Sequence, residues 1–295
     1  MQKIKFLSVI FVCLLTQNIK SQDLMDLLGK DTTKELTTAT FKTTHLIIGQ
    51  SVENVGKGSL NVLISHHFGK VNDGLYNFFG LDQSTIRLGV EYGITNRLEV
   101  GIGRSSLQKT ADGYVKYKIL RQNNIDMPLT VTYFGGMAMN TLKWADPTRK
   151  NFFTSRLSFV NQLLIARKFT EDLSLQLMPT HVHKNLVPRI VDQNDVFAVG
   201  AGGRYKFTRR MSVNAEYYYL LPGQSAKDFQ NSLSLGVDLE TGGHVFQLFF
   251  TNSQHLFERG FVSETQGKWN KAEIFFGFNI IRTFGIVKPK GFKKE

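Results

Sequence analysis

Two histidines come nearest to a metal site in type and spacing. His181 and His183 stand two positions apart, so on a β-strand their imidazoles share one face and could bind one metal ion. Two imidazoles alone leave a zinc site incomplete, and no carboxylate lies close to them in the sequence. We therefore expect histidines at an interface or at the base of a loop, with no bound metal and no cofactor.

Residue pairings for hydrolysis or phosphate binding are missing or misplaced. The sequence contains no His-x-Ser, the spacing that would put a base and a nucleophile on one face of a lipid-facing strand. Gly200, Gly202 and Gly203 match part of a phosphate-binding glycine motif, but no helix is predicted to follow them. They are better explained as glycines in a crowded strand. We therefore expect a protein that is not an enzyme.

Charged side chains recur on the polar faces of many short segments, where they could line an interior and pair with opposite charges. The set has seven basic and five acidic members, and the small basic excess favours anions. These residues are Arg87, Glu91, Arg97, Glu99, Lys116, Lys118, Arg156, Arg204, Lys206, Glu216, Asp238 and Glu273.

The segments that carry these charges alternate between apolar and polar residues with a period of two. Ile86, Leu88 and Val90, for example, lie opposite Arg87 and Glu91. This period is typical of strands with one apolar face, and twelve such segments follow residue 57. Several reach nine residues, which is long enough to cross a bilayer at a tilt.

The connections between these segments alternate between short and long. The short ones are 95–96, 121–126, 170–172, 208–210 and 240–243, and the long ones are 70–83, 105–113, 140–151, 184–194, 222–231 and 252–270. A soluble or periplasmic β-sandwich, the alternative fold, does not require such alternation. Outer-membrane barrels do show it, with an even number of strands. We therefore predict an all-β chain that forms a single antiparallel transmembrane β-barrel of about 12 strands, with short periplasmic turns and long outer loops.

The two ends of the chain differ from the barrel region. Lys3 and Lys5 precede a ten-residue apolar run, Phe6 to Leu15, that is too short to span a bilayer and is typical of a cleaved signal peptide. The only cysteine, Cys13, lies in this run. The predicted organisation is therefore a signal peptide (1–21), a periplasmic segment or plug (22–56), the barrel (57–285) and a basic tail (286–295).

The net charge of +12 suggests a negatively charged partner. An exported chain rarely meets nucleic acid, so we expect no nucleic acid and instead predict contact with outer-membrane lipid, whose head groups are anionic. Small solutes are the other expected partners. The oligomeric state is not predicted.

Several sequence blocks resemble one known family. Their order is similar to that of a Bacteroidetes outer-membrane β-barrel family catalogued as domain of unknown function 5777, and the resemblance implies a barrel fold and an outer-membrane location but no reaction, ligand or catalytic residues. The blocks are 41–68, FGLDQSTIRLGVEYGIT (79–95), 103–122, QLLIARKF (162–169), LSLQLMPTHVHKNLVP (173–188), NDVFAVGAGGRYK (194–206), NAEYYYLLP (214–222) and VDLETGGHVFQLFFTNS (237–253).

Three hypotheses for function follow. The first is a passive pore or a channel that binds small solutes, the second is a structural or surface-interaction barrel that acts through its outer loops, and the third is a membrane enzyme that modifies lipid. Residues 30–56 could plug the lumen, where Lys42 and His45 would meet lumen carboxylates such as Glu91 or Glu99, or could remain a free tail.

The alternation of loop lengths predicts which connections are outside the cell. A cysteine placed at Asp146 or Lys227 should react with a membrane-impermeant thiol reagent on intact cells, whereas one at Asn96 or Thr241 should not. Labelling after cell lysis provides the control for accessibility. Reaction at Asn96 in intact cells would show that the predicted orientation is wrong.

Overall fold

The computed structural model describes residues 33–287. The predicted signal peptide and nearly all of the basic tail lie outside these residues. Twelve strands form a closed barrel in which each strand pairs with its neighbours along the chain and the last pairs with the first. They are β1 (Ser59–Lys70), β2 (Ser84–Gly93), β3 (Leu98–Ser105), β4 (Ala111–Leu120), β5 (Thr130–Met139), β6 (Leu157–Lys168), β7 (Leu173–Lys184), β8 (Asp195–Lys206), β9 (Met211–Leu220), β10 (Ser232–Thr241), β11 (His244–Thr251) and β12 (Phe275–Gly285).

All pairings are antiparallel, including the one that closes the barrel, where Leu63 of β1 lies opposite Ile281 of β12. The structure therefore confirms the predicted single antiparallel barrel and its strand number. Two short helices accompany the strands, α1 (Gln224–Asp228) and α2 (Glu258–Ser263), together with brief 3₁₀ turns in the long loops. No helix within residues 33–287 is long and apolar enough to span a membrane.

The period-two pattern separates the two faces of the barrel wall. On β7, Leu175 is 40% exposed on the outside, whereas its neighbour Gln176 is 2% exposed on the inside. The same division holds along the other strands, because successive side chains of a strand point to opposite faces. The outer wall is therefore apolar, and the inner wall carries most of the polar strand residues.

The connections differ between the two ends of the barrel. We call the end with connections 94–97, 121–129, 169–172, 207–210 and 242–243 the turn end, and the opposite end, with 71–83, 106–110, 140–156, 185–194, 221–231 and 252–274, the loop end. In three of the short turns the second residue is a threonine whose hydroxyl accepts hydrogen bonds from the backbone N–H groups two and three residues later. These threonines are Thr95, Thr170 and Thr208. A local side-chain contact thus closes each of these turns without a long connection.

The inside of the barrel is filled by two segments that are not strands. We call residues 41–56 the plug; they enter from the turn end, and two residues separate them from β1. The loop between β11 and β12 enters from the loop end and carries α2. Both contribute to one buried cluster inside the barrel, which contains Leu46, Ile47 and Val52 of the plug, Phe257, Phe261 and Val262 of the loop, and Phe134, Tyr218 and Phe249 of the wall.

The apolar outer wall generates a stability prediction at Leu175. Leu175→Arg should destabilise the folded barrel in lipid by about 1–2 kcal/mol, because Leu175 is the third residue of β7 and the guanidinium would face hydrocarbon between the middle of the wall and its turn end. Leu175→Met, which keeps the surface apolar at the same position, should cost much less. Unfolding titrations in phospholipid vesicles measure both values. Equal losses for Arg and Met would contradict a lipid-facing position.

Candidate functional site

The plug folds around a tight hairpin. Its backbone closes on itself through Leu46 N–H to Gly49 C=O at 2.8 Å and Ser51 N–H to Thr44 C=O at 2.9 Å. The Ser51 hydroxyl adds a hydrogen bond to Thr43 C=O at 2.6 Å. At Gly49 a β-carbon would lie 2.4 Å from Tyr218 Oη, so only glycine fits where the hairpin meets the wall. Local threonine, serine and glycine chemistry therefore shapes this segment.

Three carboxylates of the barrel wall hold the plug. Glu216 accepts hydrogen bonds from Ile47 N–H at 3.2 Å and from Gly49 N–H at 3.1 Å. Glu99 accepts one from Val55 N–H at 2.7 Å. Glu91 accepts one from the hydroxyl of Thr44 at 2.6 Å. The backbone N–H groups that a hairpin leaves unpaired thus find carboxyl oxygens of the wall as acceptors.

Wall amides complete the backbone contacts of the plug. Gln176 acts in both directions, accepting from Val52 N–H at 2.9 Å and donating to Gln50 C=O at 2.7 Å. Asn279 donates to Ile47 C=O at 2.7 Å, and Gln247 donates to Leu46 C=O at 3.1 Å. These contacts replace the water that the plug backbone would otherwise bind.

Two wall lysines also contact the plug. The Lys116 ammonium, which is fully buried, donates to Thr44 C=O and to the Gln50 side chain at 3.2 Å each and lies 3.4 Å from Glu99. Lys118 pairs with Glu53 at 3.4 Å. At the turn end, Lys42 of the plug pairs with Glu240 of β10. The sequence hypothesis paired Lys42 with a lumen carboxylate such as Glu91 or Glu99; a carboxylate is its partner, but it is that of Glu240.

His45 lies against Glu91, as one of the sequence hypotheses required, with Nδ1 3.4 Å from the carboxylate. Burial lowers the pKa of His45 to about 4, although the nearby Glu91 carboxylate acts in the opposite direction. The imidazole is therefore neutral at pH 7. Contact with Glu91 at neutral pH is thus polar and does not form a salt bridge.

The predicted set of lumen charges divides into two groups. The structure places Arg87, Glu91, Glu99, Lys116, Lys118, Arg204, Glu216 and Asp238 inside the barrel, where all are buried. The prediction is wrong for the other four. Arg97 is exposed in a turn, and Arg156 lies in a loop with its guanidinium 3.7 Å from the Trp144 ring. Lys206 pairs with Asp172 at the rim, and Glu273 accepts a hydrogen bond from Lys268 N–H in a loop. Each lies at or beyond a strand end, where residue parity no longer reports the face of the wall.

Two further ionisable residues of the inner wall were not identified from the sequence. Asp112 of β4 accepts from Arg87 Nε at 3.0 Å, and Lys184 of β7 pairs with Glu264 at 3.1 Å. Asp112 is an even number of residues from Lys116 and Lys118, so the alternating pattern predicts that it lies on the same inner face of the strand. With these two included, the buried charges on the described strands are Arg87, Lys116, Lys118, Lys184 and Arg204 against Glu91, Glu99, Asp112, Glu216 and Asp238. The expected basic excess therefore disappears.

The loop that carries α2 closes the lumen from the loop end. Phe261 is fully buried, and its ring centroid lies 5.3 Å from that of Tyr218. Burial raises the pKa of Glu258 to about 7 and lowers that of His255 to about 4. Arg259 forms an ion pair with Glu264 at 2.7 Å, and Glu264 also forms an ion pair with Lys184 of the wall. The loop is thus held by ionic contacts as well as by packing.

Little space remains around the two closures. Two interior cavities, one beside His45 and Leu256 and one beside His255 and Phe257, measure about 10 and 20 Å³, roughly the room that one water needs. A larger cavity of about 460 Å³ opens at the turn end, between the base of the plug and the ends of β10 to β12. The lumen is therefore closed in this structure.

The two candidate metal-binding histidines lie on the outer wall. His181 Nε2 and His183 Nδ1 each lie 2.8 Å from one carboxylate oxygen of Asp195, at the start of the neighbouring strand. The sequence interpretation, which found no carboxylate partner for them, is corrected here. Within residues 33–287, no group of three or more His, Cys, Asp or Glu side chains is arranged to hold a metal ion.

A closed barrel with an apolar outer wall and no free strand edge is the architecture of a β-barrel that spans a membrane, because hydrocarbon cannot satisfy the backbone of an open edge. The chain belongs to the family described as "Membrane bound beta barrel domain (DUF5777)", whose model matches residues 41–284. The expected family resemblance is thereby confirmed. The match begins at Phe41, the first residue of the plug, so the family's domain includes the plug as well as the barrel.

Solved structures of low identity resemble the chain. The KdgM porin is 10% identical, with a TM-score of 0.45 over 77% of this chain and 98% of that one. The outer membrane protein Omp33 of Acinetobacter baumannii is 10% identical (TM-score 0.39, 77% and 99%), and OmpT of Vibrio cholerae is 13% identical (TM-score 0.36, 85% and 74%). No curated protein matches the chain. The family match, and not these likenesses, places the chain among membrane-bound barrels.

The contacts of Glu216 predict how firmly the plug is held. Glu216→Leu removes the acceptor of two buried N–H groups and should weaken docking of the plug by about 2–5 kcal/mol. Trypsin cleavage after Lys42, whose side chain is 23% exposed, should then accelerate in the refolded protein. Glu216→Gln, which keeps one acceptor, should lie between Glu216→Leu and the wild type.

Asn214 supplies the matched control. It lies two residues away on the same strand and the same inner face, and it forms no hydrogen bond with a described plug residue. Asn214→Leu should leave cleavage after Lys42 unchanged. If Asn214→Leu and Glu216→Leu accelerate cleavage equally, general loosening of the barrel explains the effect, and Glu216 is not a specific anchor.

Proposed function

We propose that this protein is an outer-membrane channel for small polar solutes, closed in the described state by the plug and by the α2 loop. The observation that carries the proposal is the way in which the plug is held. Its backbone hydrogen bonds end on polar wall side chains, chiefly Glu216, Glu99 and Gln176. Water can take the place of each of these contacts when the plug leaves.

The chemistry of the wall favours a lumen that becomes wet. A purely structural barrel could fill its interior with apolar side chains of its own strands. Buried ionic groups contribute little net stability, because their removal from water is costly. Ten buried ionisable side chains on the inner wall are costly to keep out of water in a permanently closed barrel, whereas they suit an interior that is hydrated when open.

The balance of charges bears on the class of solute. Five basic and five acidic side chains line the described strands, so their numbers give no basic excess that would attract anions. We therefore propose small polar solutes with weak charge selectivity. This replaces the preference for anions that the sequence suggested.

The position in the cell is part of the proposal. The even strand number brings the segment before β1 and the end of β12 to the turn end, which in outer-membrane barrels faces the periplasm. The plug would then enter from the periplasmic side and the α2 loop from outside. Access from both sides would require both closures to move.

A surface-interaction barrel is the second candidate, and one loop favours it. Residues of the β1–β2 loop are strongly exposed at the loop end, with Tyr76 94% and Leu75 75% accessible. Phe78 and Phe79 beside them hold positive φ angles of 46° and 53°, an uncommon conformation for bulky residues. Such strained and exposed aromatic residues suit the recognition of a partner.

Planar-bilayer conductance tests the proposal. The refolded full chain should be closed most of the time, and deletion of residues 36–56 or replacement of residues 254–266 by a short linker should each raise the open probability. The two changes together should give ohmic steps of one size, because only then is the lumen free from both ends. Shortening the exposed segment 145–150 provides a control that should leave conductance unchanged.

The double variant must be shown to fold before its conductance is interpreted. Heat-modifiable migration in gels and a β-type circular dichroism spectrum establish the barrel. A folded double variant that conducts no ions would contradict the channel and support the surface-interaction barrel.

A further inference from the structure

A polar patch interrupts the apolar outer wall on strands β5 to β8. We call Tyr133, Asn161, His181, His183 and Asp195 the wall patch. Asn161 lies in register between Gly135 of β5 and His181 of β7. Gly135 is the sixth of the ten residues of β5, so Asn161 is level with the middle of its neighbouring strand. An outward amide at this height faces hydrocarbon in a membrane-spanning barrel.

The hydrogen bonds of Asn161 are only partly satisfied within one chain. The Tyr133 hydroxyl donates to Asn161 Oδ1 at 2.6 Å. The amide nitrogen of Asn161 carries two N–H donors, and no described residue accepts from it. Lipid tails offer no acceptor, and an unpaired donor in an apolar medium is costly. The free amide therefore requires a partner that brings an acceptor into the membrane.

The contact between Tyr133 and Asn161 is built into the wall. Tyr133 reaches Asn161 by crossing over Gly135, where a β-carbon would lie 3.1 Å from Tyr133 Oη. A larger residue at Gly135 would push the ring away from the amide. The glycine, the tyrosine and the asparagine thus form one arrangement, and the exposed amide is not a stray polar residue.

A groove runs beside the wall patch. It has a volume of about 560 Å³ and is lined by Ile102, Gly113, Val115, Met137, Phe159 and Asn161. A β-carbon added at Gly113 would meet no heavy atom closer than 3.6 Å, so the floor of the groove is bare backbone with room above it. Ile102 stands at the rim and is 68% exposed. A cavity and a projecting side chain therefore lie next to one another.

We propose that the wall patch and this groove form a two-fold interface between two copies of this chain within the membrane. In a two-fold contact the same patch meets itself, so every group must find its complement among the same residues. Asn161 satisfies that condition, because its free N–H groups can donate to Asn161 Oδ1 or Tyr133 Oη of the partner subunit. Ile102 of each copy has a groove of suitable size on the other.

The identity of the occupant follows from the hydrogen bonds. An acyl chain would fill the groove but would leave the amide of Asn161 unpaired. A second copy fills the groove and supplies an acceptor, as polar and small residues do together at contacts between membrane proteins. The inference uses only the outer wall, so it does not depend on whether the lumen conducts.

Cross-linking in native membranes tests the interface. Leu163→Cys places a thiol two residues from Asn161 on the same outer face, and Leu248→Cys places one on β11, across the barrel. Mild oxidation should convert Leu163→Cys to a band of twice the chain mass at a yield at least fivefold above that of Leu248→Cys. Adding Asn161→Leu to Leu163→Cys should reduce that yield at least fivefold, while heat-modifiable migration shows that the barrel is folded.

Two cross-linking outcomes would overturn the proposal. Equal cross-linking at positions 163 and 248 would show random collision, and a yield that Asn161→Leu leaves unchanged would show that the amide plays no part. Native mass spectrometry of the wild-type chain released from membranes in mild detergent provides an independent measurement. A dimer that Asn161→Leu converts to monomer supports the interface, whereas a wild-type monomer carrying one retained phospholipid identifies an acyl chain as the occupant and rejects it.

Discussion

The hydrogen bonds between the plug backbone and the side chains of the lumen wall are the interactions on which the closed interior depends. A twelve-stranded wall satisfies its own backbone, but its inward side chains and the backbone of any segment inside must satisfy one another when water is excluded. Gln176 shows the principle most directly, since one amide both donates to and accepts from the plug. The polar wall and the polar backbone are therefore complementary parts of one interior.

The two closures depend on each other as well as on the wall. Tyr218 lies against Gly49 of the plug on one side and against the ring of Phe261 on the other. Gln50 of the plug also lies close enough to Glu258 of α2 to act against the rise in the pKa of that carboxyl. Removing one closure takes away packing partners of the other. Movement of either segment should therefore loosen the second, which is the coupling that a lumen closed from both ends would need to open.

The alternation of residues could predict much of this architecture, because side-chain direction in a strand is a local property. It identified all twelve strands and put residues such as Glu91 and Glu216 on the inner face. It failed at Arg97 and Glu273, because parity has no meaning beyond the last paired residue of a strand. It also missed the partner of His181, because Asp195 comes from the neighbouring strand and only the register brings them together.

Residues 41–56 show a different limit of sequence reasoning. Their threonines and glycines indicate turns, but nothing local tells whether a turn lies in water or inside a barrel. That outcome depends on Glu216, Gln176 and Asn279, which come from strands more than a hundred residues away in sequence. The family model supplies the missing information in part, since its match starts at the first residue of the plug.

The wall carboxylates differ in what they would retain if the plug left. Glu91 would keep hydrogen bonds from Tyr114 at 2.7 Å and Asn61 at 3.1 Å, and Glu99 would keep Lys116 at 3.4 Å. Glu216 would keep no hydrogen bond from a described residue, because every hydrogen bond that the described residues make to it comes from the plug. An empty lumen would leave this carboxylate to water alone. Glu216 is therefore the position at which the closed and the hydrated interior differ most, and the energy of the plug-bound state is most sensitive there.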